Sequence, residues 1–274
     1  MSERISMRGR IWFEALAGKQ AKLVPSVPSV LVADTKLQGE RVRFLAIVPD
    51  PDDRFPCASQ GQVGLQEGWN VAKQVRDAIQ ADENGEERAI IAIVDVPSQA
   101  YGRREELLGI FLAAAAATDA YVSARLAGHP VISLLVGHAI SGGFLTHGAQ
   151  GNRLLALNDP GVMIHAMAKN AAALVTRRTV EELDKLAEAV IPMSYKIEDY
   201  AKLGTLYKLI DGVNADSPEP KQVEQVRADL LAAIADARSG PRDLSNRLKS
   251  EGAQKNRSAT LEVRRRLAQQ WRSN

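Results

Sequence analysis

Between Arg125 and Arg153 the chain carries no Asp, Glu, Lys or Arg, yet this stretch holds six glycines and three of the four histidines, His129, His138 and His147. A segment so free of charge belongs inside a folded core, and its glycines and Pro130 argue against a membrane helix. Pro130 to Val136 reads as a buried strand, followed by Gly137-His138-Ala139-Ile140-Ser141-Gly142-Gly143-Phe144 and a short helical segment. Glycines at the end of such a strand let the backbone approach a ligand and leave N–H groups pointing at it. The functional reading is an oxyanion hole built from the amides near Gly142 and Gly143. The plainer alternative is that the pair only permits tight packing.

The same unit occurs once before. Ala89 to Val94 is a strand, Asp95 to Glu106 a glycine-bearing loop, and Leu107 to Leu126 an Ala-rich helix. Strands alternating with helices predict an α/β fold with right-handed crossovers. Val42 to Val48 adds a strand ending at Pro49, and Asp50 to Gly64 a long loop. Leu65, Trp69, Ala72, Val75 and Ile79 form a helical stripe. Leu154 to Leu157 and Val162 to Ile164 read as short strands. Thr179 with Glu182 makes a capping box for a helix to Val190. Residues 1–40, with Trp12, Phe13 and the Pro-spaced stretch Val24 to Ser29, read as an extended N-terminal arm. Residues 41–215 form the core and 216–274 a C-terminal helical extension.

The whole-chain charge of +2 does not announce a nucleic-acid binder. Nine basic and three acidic residues lie from Arg242 to Asn274, so the positive charge belongs to the tail and the remainder is net negative. The triplet Arg264-Arg265-Arg266 has no aromatic interleaving, which favours a solvated or partner-binding helix face. The single cysteine, Cys57, forms no intrachain disulfide and fits a reducing compartment. The charged N-terminus lacks an apolar leader, and the uninterrupted apolar run Leu107 to Ala117 is too short to span a bilayer. A soluble cytoplasmic protein is expected, with no membrane or nucleic-acid partner. No metal site is expected: Asp50, Asp52 and Asp53 alternate with prolines in a solvated loop. His138 and His147 read as core histidines and His129 as a loop residue.

Ser141 precedes His165 by 24 residues, a spacing open to a nucleophile and base pair. Gly137 to Gly148 and Val162 to His165 resemble the Clp-protease and crotonase superfamily. Across nearly its full length the chain is more similar to the gamma subunit of biotin-independent malonate decarboxylase. That likeness is carried by Arg8-Gly9-Arg10-Ile11-Trp12-Phe13, Asp95-Val96-Pro97-Ser98-Gln99-Ala100-Tyr101-Gly102 and Thr176-Arg177-Arg178-Thr179-Val180-Glu181-Glu182-Leu183.

The resemblance implies a crotonase-like ββα superhelix of carboxyltransferase type. It implies conversion of a malonyl thioester on an acyl carrier protein to the acetyl thioester and CO2, in malonate catabolism. Two backbone-amide sites are then expected, Gly142 with Gly143 and Gly102 with Arg103, with Tyr101, Ser141, His165 and Gln99 as substrate-binding residues. Pro97-Ser98 stands where carboxyltransferases usually have Pro-Gly. The implied partners are a homologous beta subunit sharing the active site, the acyl carrier protein and an acyl-carrier transferase subunit. No cofactor is expected on this chain itself; the carrier bears a phosphopantetheine-type, dephospho-CoA-derived group. A biotin-dependent carboxyltransferase subunit, a Clp-type serine peptidase using Ser141 and His165, and a non-catalytic scaffold stand as alternatives.

Overall fold

The computed structural model describes residues 5–19 and 21–272. Within them, α1 (Arg8–Ala17) precedes β1 (Lys22–Leu23), β2 (Val30–Leu37) and β3 (Glu40–Ile47). These three strands pair antiparallel, β2 with β3 from Val30↔Ile47 to Leu37↔Glu40. The turn between them places Gln38 and Gly39 at positive φ, as a tight right-twisted hairpin requires. α2 (Leu65–Ala81) crosses to β4 (Ala89–Val96), and α3 (Arg103–Leu107) with α4 (Ile110–Ala127) crosses to β5 (Val131–Ile140). α5 (Ser141–Thr146) follows β5 directly. β6 (Arg153–Leu157) pairs parallel with the first half of β5, and β7 (Met163–His165) with its second half. α6 (Lys169–Thr176), α7 (Val180–Ala189) and α8 (Ile197–Lys202) lead to β8 (Lys208–Ile210), which pairs with β6. α9 (Pro220–Ser239), α10 (Glu251–Asn256) and α11 (Ser258–Arg272) follow.

The mixed sheet has the order β1-β2-β3-β4-β5-β6-β8, with β7 beside β5. β4 reads AIIAIVDV and every residue in it is buried, the signature of a parallel strand covered on both faces. α2 and α4 cover the sheet and meet closely because Gly68 lacks a side chain: a Cβ there would press on the Ala113 backbone. α1 and α9 join the same core through Trp12, Phe13, Leu16, Val226, Leu230 and Ile234.

Three sequence expectations are corrected. Residues 8–17 are helical rather than extended, because Asp95 accepts the Gly9 amide and the Ser6 hydroxyl and so caps α1 from the sheet. Trp69 is half exposed rather than in the stripe; the close crossing at Gly68 turns Val71, Ala72, Val75 and Ala78 inward instead. Gly109 adopts φ +81 and splits the Ala-rich helix into α3 and α4. α4 is then an 18-residue helix long and apolar enough, by length and composition, to cross a membrane, although it contains Asp119 and Arg125 and packs Ala113, Ala117, Ala120, Tyr121 and Ala124 inward. The Thr179 capping box is present as read: Glu182 N–H donates to Thr179 Oγ1 and Glu182 Oε2 accepts the Thr179 amide.

Candidate active site

β5 runs four residues beyond the predicted strand, so Ser141 begins a helix with no loop before it. That abrupt reversal holds Ser141 at φ +62, a conformation a non-glycine residue adopts at a cost of about 1 kcal/mol. Such strain persists only where surrounding structure imposes it. Here the surroundings are the loop after β4. Val63 pairs with this loop, donating to the Ser98 carbonyl at 3.0 Å and accepting the Ala100 amide at 2.9 Å. Gly143 lies so close to it that a Cβ would collide with the Ser98 carbonyl. The Gly142 N–H donates to Gln99 Oε1 at 2.7 Å. Gly142, Gly143 and Gln99 are thus brought together, and the Gly142 amide meets a side-chain carbonyl oxygen rather than a backbone one.

Gly102 caps α3 and faces a different neighbour: a Cβ there would collide with the buried Glu105 carboxylate and approach Cys57 Sγ. Burial and the adjacent Glu105 carboxylate both push the Cys57 thiol up from its ordinary value. Arg103 and Tyr101 are exposed on the surface beside it.

His165 lies across from Ile140 in the β5–β7 register, one residue from Ser141. His165 Nδ1 lies 3.0 Å from the Met167 carbonyl and 3.1 Å from the Met167 amide nitrogen, and the Pro192 carbonyl also bonds the ring. Its ring stacks on Tyr195 at 4.1 Å, and burial lowers its pKa. No hydrogen bond joins His165 to Ser141 among the described residues. Both ring nitrogens are committed to backbone, so the pair is not arranged as nucleophile and base.

Two histidines of the charge-free stretch, His147 and His129, are structural. His147 is fully buried; Tyr121 OH donates to its Nδ1 at 2.9 Å and its Nε2 donates to the Ile93 carbonyl at 3.1 Å. Burial pushes its pKa down to about 4, so the ring is neutral. His129, read as a loop residue, is buried and bonds the Arg88 carbonyl at 2.9 Å through Nδ1. Asp53 departs from the solvated-loop reading: it is buried and accepts the Phe55 amide at 2.7 Å and the Gln66 side chain at 3.1 Å. Beside it Glu67, fully buried, accepts the Gly64 amide at 2.9 Å and the Ser29 hydroxyl. Burial raises Glu67 to about 7 despite those bonds, with nearby Asp53 adding to the rise. Sequence reasoning missed this acid pair, whose only signal was a Gly-x-x-Glu spacing repeated at Gly64–Glu67 and Gly102–Glu105. Among the described residues no group of three or more His, Cys, Asp or Glu is placed to hold a metal.

The fold is that of crotonase-like carboxyltransferases: the transcarboxylase 12S core superposes with a TM-score of 0.57 at 18% identity, covering 78% of this chain and 36% of that one. A family model described as malonate decarboxylase gamma subunit matches residues 58–271, and the chain belongs to that family. It is therefore a subunit of a carboxy-lyase. The chain is similar to a subunit of a Pseudomonas malonate decarboxylase hetero-tetramer solved with coenzyme A: 54% identity, TM-score 0.92, 97% of this chain and 100% of that one. It is likewise similar to a chain of the Pseudomonas MdcD-MdcE hetero-dimer, at 53% identity, TM-score 0.88 and the same coverage. A malonyl-S-ACP:biotin-protein carboxyltransferase of Malonomonas rubra is 34% identical over 195 residues, which is 69% of this chain and 66% of that relative's length.

Proposed function

We propose that this chain supplies half of an active site that decarboxylates malonyl-S-acyl-carrier-protein to acetyl-S-acyl-carrier-protein and CO2. The observation that carries the reading is the interlocked turn, with Ser141 at positive φ and Gly143 against the Ser98 carbonyl. It fixes the Gly142 N–H, which rests on Gln99 Oε1 and would pass to the thioester oxygen when that oxygen takes the place of Gln99. Breaking the bond between the malonyl α-carbon and its carboxylate leaves the electron pair as a thioester enolate. A proton then returns to carbon, giving the acetyl group. The enolate oxygen needs donors that do not move, and losing one such donor typically costs about 3 kcal/mol of barrier. Gly142 and Gly143 fill that role. Gly102 and Arg103 form the second amide site, with Tyr101, Ser141 and His165 lining the approach.

The facing half is a homologous beta subunit, as in the MdcD-MdcE relative. It covers the exposed apolar face made by Tyr101, Leu107, Leu108, Phe111 and Leu112, next to the site. The acyl carrier protein brings the malonyl group on its phosphopantetheine-type arm, and an acyl-carrier transferase subunit loads it. The working compartment is the cytoplasm, where Cys57 stays a thiol. Reconstitution tests the reading: CO2 release from malonyl carrier should appear only when this chain is mixed with the beta subunit, and equal turnover by the single chain would refute it.

One relative favours a second reading, transfer of the carboxyl group to biotin, because the Malonomonas rubra protein is a biotin-protein carboxyltransferase. Avidin separates the two, since it blocks only the biotin-dependent reaction.

A further inference from the structure

The Ser98–Gln99 segment that meets the glycine turn is held from behind. Val63 bonds the peptides on either side of Gln99, and the next residue, Gly64, is fixed by a buried acid: its N–H donates to Glu67 Oε2 at 2.9 Å. A Cβ on Gly64 would press on that oxygen and on Ala58 and Ala100, so the residue has no room to shift. One short chain of bonds therefore runs from Glu67 through Gly64 and Val63 to Gln99, and from there to the Gly142 amide.

Glu67 lies beside a second buried acid. Asp53 Oδ1 accepts the Phe55 amide and the Gln66 side chain, but its Oδ2 is buried with no partner. Glu67 is within hydrogen-bond reach of Asp53, and its Oε1 meets the Ser29 hydroxyl. Two adjacent buried carboxyls cannot both ionise without a large penalty, and an orphaned buried oxygen is costly until a donor reaches it. One proton answers both. Carried by Glu67, it gives Asp53 Oδ2 the missing bond. No cation pairs with either acid among the described residues. Arg54 on the loop and Arg104 on α3 lie over the Phe55 ring instead, at 5.3 and 5.0 Å; Glu105 is bonded to Cys57, and α4 presents Ala113 to this part of α2.

We propose that Glu67 and Asp53 are positioning residues for the reaction: one proton held between their carboxyls keeps Gly64 in place and, through Val63, the Ser98–Gln99 segment against the Gly142–Gly143 turn. The inference rests on the reading that this turn receives the thioester oxygen. When the proton leaves to solvent, two negative charges in a dry core push the carboxyls apart, Glu67 releases Gly64, and the donor at Gly142 drifts. A drift of about an ångström is enough to cost roughly a hundredfold.

The turnover number of the wild-type complex should then fall about tenfold from pH 6 to 8, with KM nearly constant, as the proton on Glu67 is lost around pH 7. Glu67→Gln should keep the pH 6 rate and hold it at pH 8, since an amide both accepts from Gly64 and donates toward Asp53. Asp53→Asn should also flatten the profile: its Nδ2 takes the place of the orphaned Oδ2 and lets Glu67 ionise without moving. Glu67→Ala should be slow at both pH values. Two readouts need no turnover. In the infrared, the full chain should show the carbonyl stretch of a protonated carboxyl at pH 6, lost at pH 8 and absent from Glu67→Gln. Hydrogen exchange at the Ala100 amide should be about tenfold faster in wild type than in Glu67→Gln at pH 8, and equal at pH 6. Absence of the carboxyl band at pH 6 would overturn the proposal, as would a rate or exchange profile shared by wild type and Glu67→Gln. A chain that shows the band and the exchange difference in a complex that never decarboxylates refutes only the functional reading.

Discussion

Asp95 bonds the Gly9 amide at 3.1 Å, a contact across 86 positions of sequence, while its other oxygen accepts the His138 amide at 3.0 Å. The aspartate that opens the loop before Gln99 is therefore a buried clamp. It joins α1 to β5, and Gly137 is bare because a Cβ would collide with it. Asp95→Ala should destabilise the fold by about 3 kcal/mol, since it leaves two buried amides without an acceptor. Urea denaturation of both proteins measures this, and a difference under about 0.5 kcal/mol would contradict it.

Gly143→Val should lower turnover of the reconstituted complex by about a hundredfold or more, because the new side chain must push the turn off the Ser98 carbonyl, and an ångström of misplacement costs that much. Circular dichroism and assembly should be preserved. Wild-type turnover in a folded, assembled variant would remove Gly143 from the site.

Ser141 separates strain from chemistry. Ser141→Ala should leave turnover within about tenfold, or 1.4 kcal/mol, as the hydroxyl is not a nucleophile. Ser141→Gly should raise stability by about 1 kcal/mol by relieving the positive φ. Loss of activity on labelling Ser141 with a fluorophosphonate would instead favour the peptidase.

Glu67 predicts an unusual pH dependence. Its folded pKa, about 7, lies above the ordinary 4.5, so folding favours the protonated acid. The stabilisation is complete below the unfolded value and fades as pH rises through 7. Melting temperature should therefore drop between pH 5 and 8, and Glu67→Gln should flatten that part of the profile. His147 works in the opposite sense: with a folded pKa of about 4 against 6.5, its contribution is present above 6.5 and is lost as pH falls toward 4. An unchanged slope in Glu67→Gln would show that the acid ionises without penalty.

The parallel part of the sheet was legible because β4 and β5 are continuous apolar runs, and the α7 cap because its two partners lie three residues apart. The glycine pair was legible as a close approach, though not as a contact with Ser98. What stayed hidden depends on distant partners. α1 is helical because of Asp95, Trp69 is displaced by a crossing at Gly68, and β5 reaches Ile140 because β7 pairs with its second half. A cavity joins residues near 144, 203 and 257, whose proximity no local pattern encodes.

Val63, Ser98 and Gly143 meet only at the site, each from a different crossover of the sheet. Their local bonds, His147 N–H to the Gly143 carbonyl and Ser98 Oγ to the Gln99 carbonyl, do not join one crossover to another, so the turn takes its shape only once β3, β4 and β5 are paired. The contacts that shape the site are thus long-range in sequence, and they are expected to form late in folding. Contacts absent from the folding transition state govern how fast a protein comes apart rather than how fast it forms. Changes at this junction should therefore shorten the life of the native state while leaving the speed of folding almost untouched.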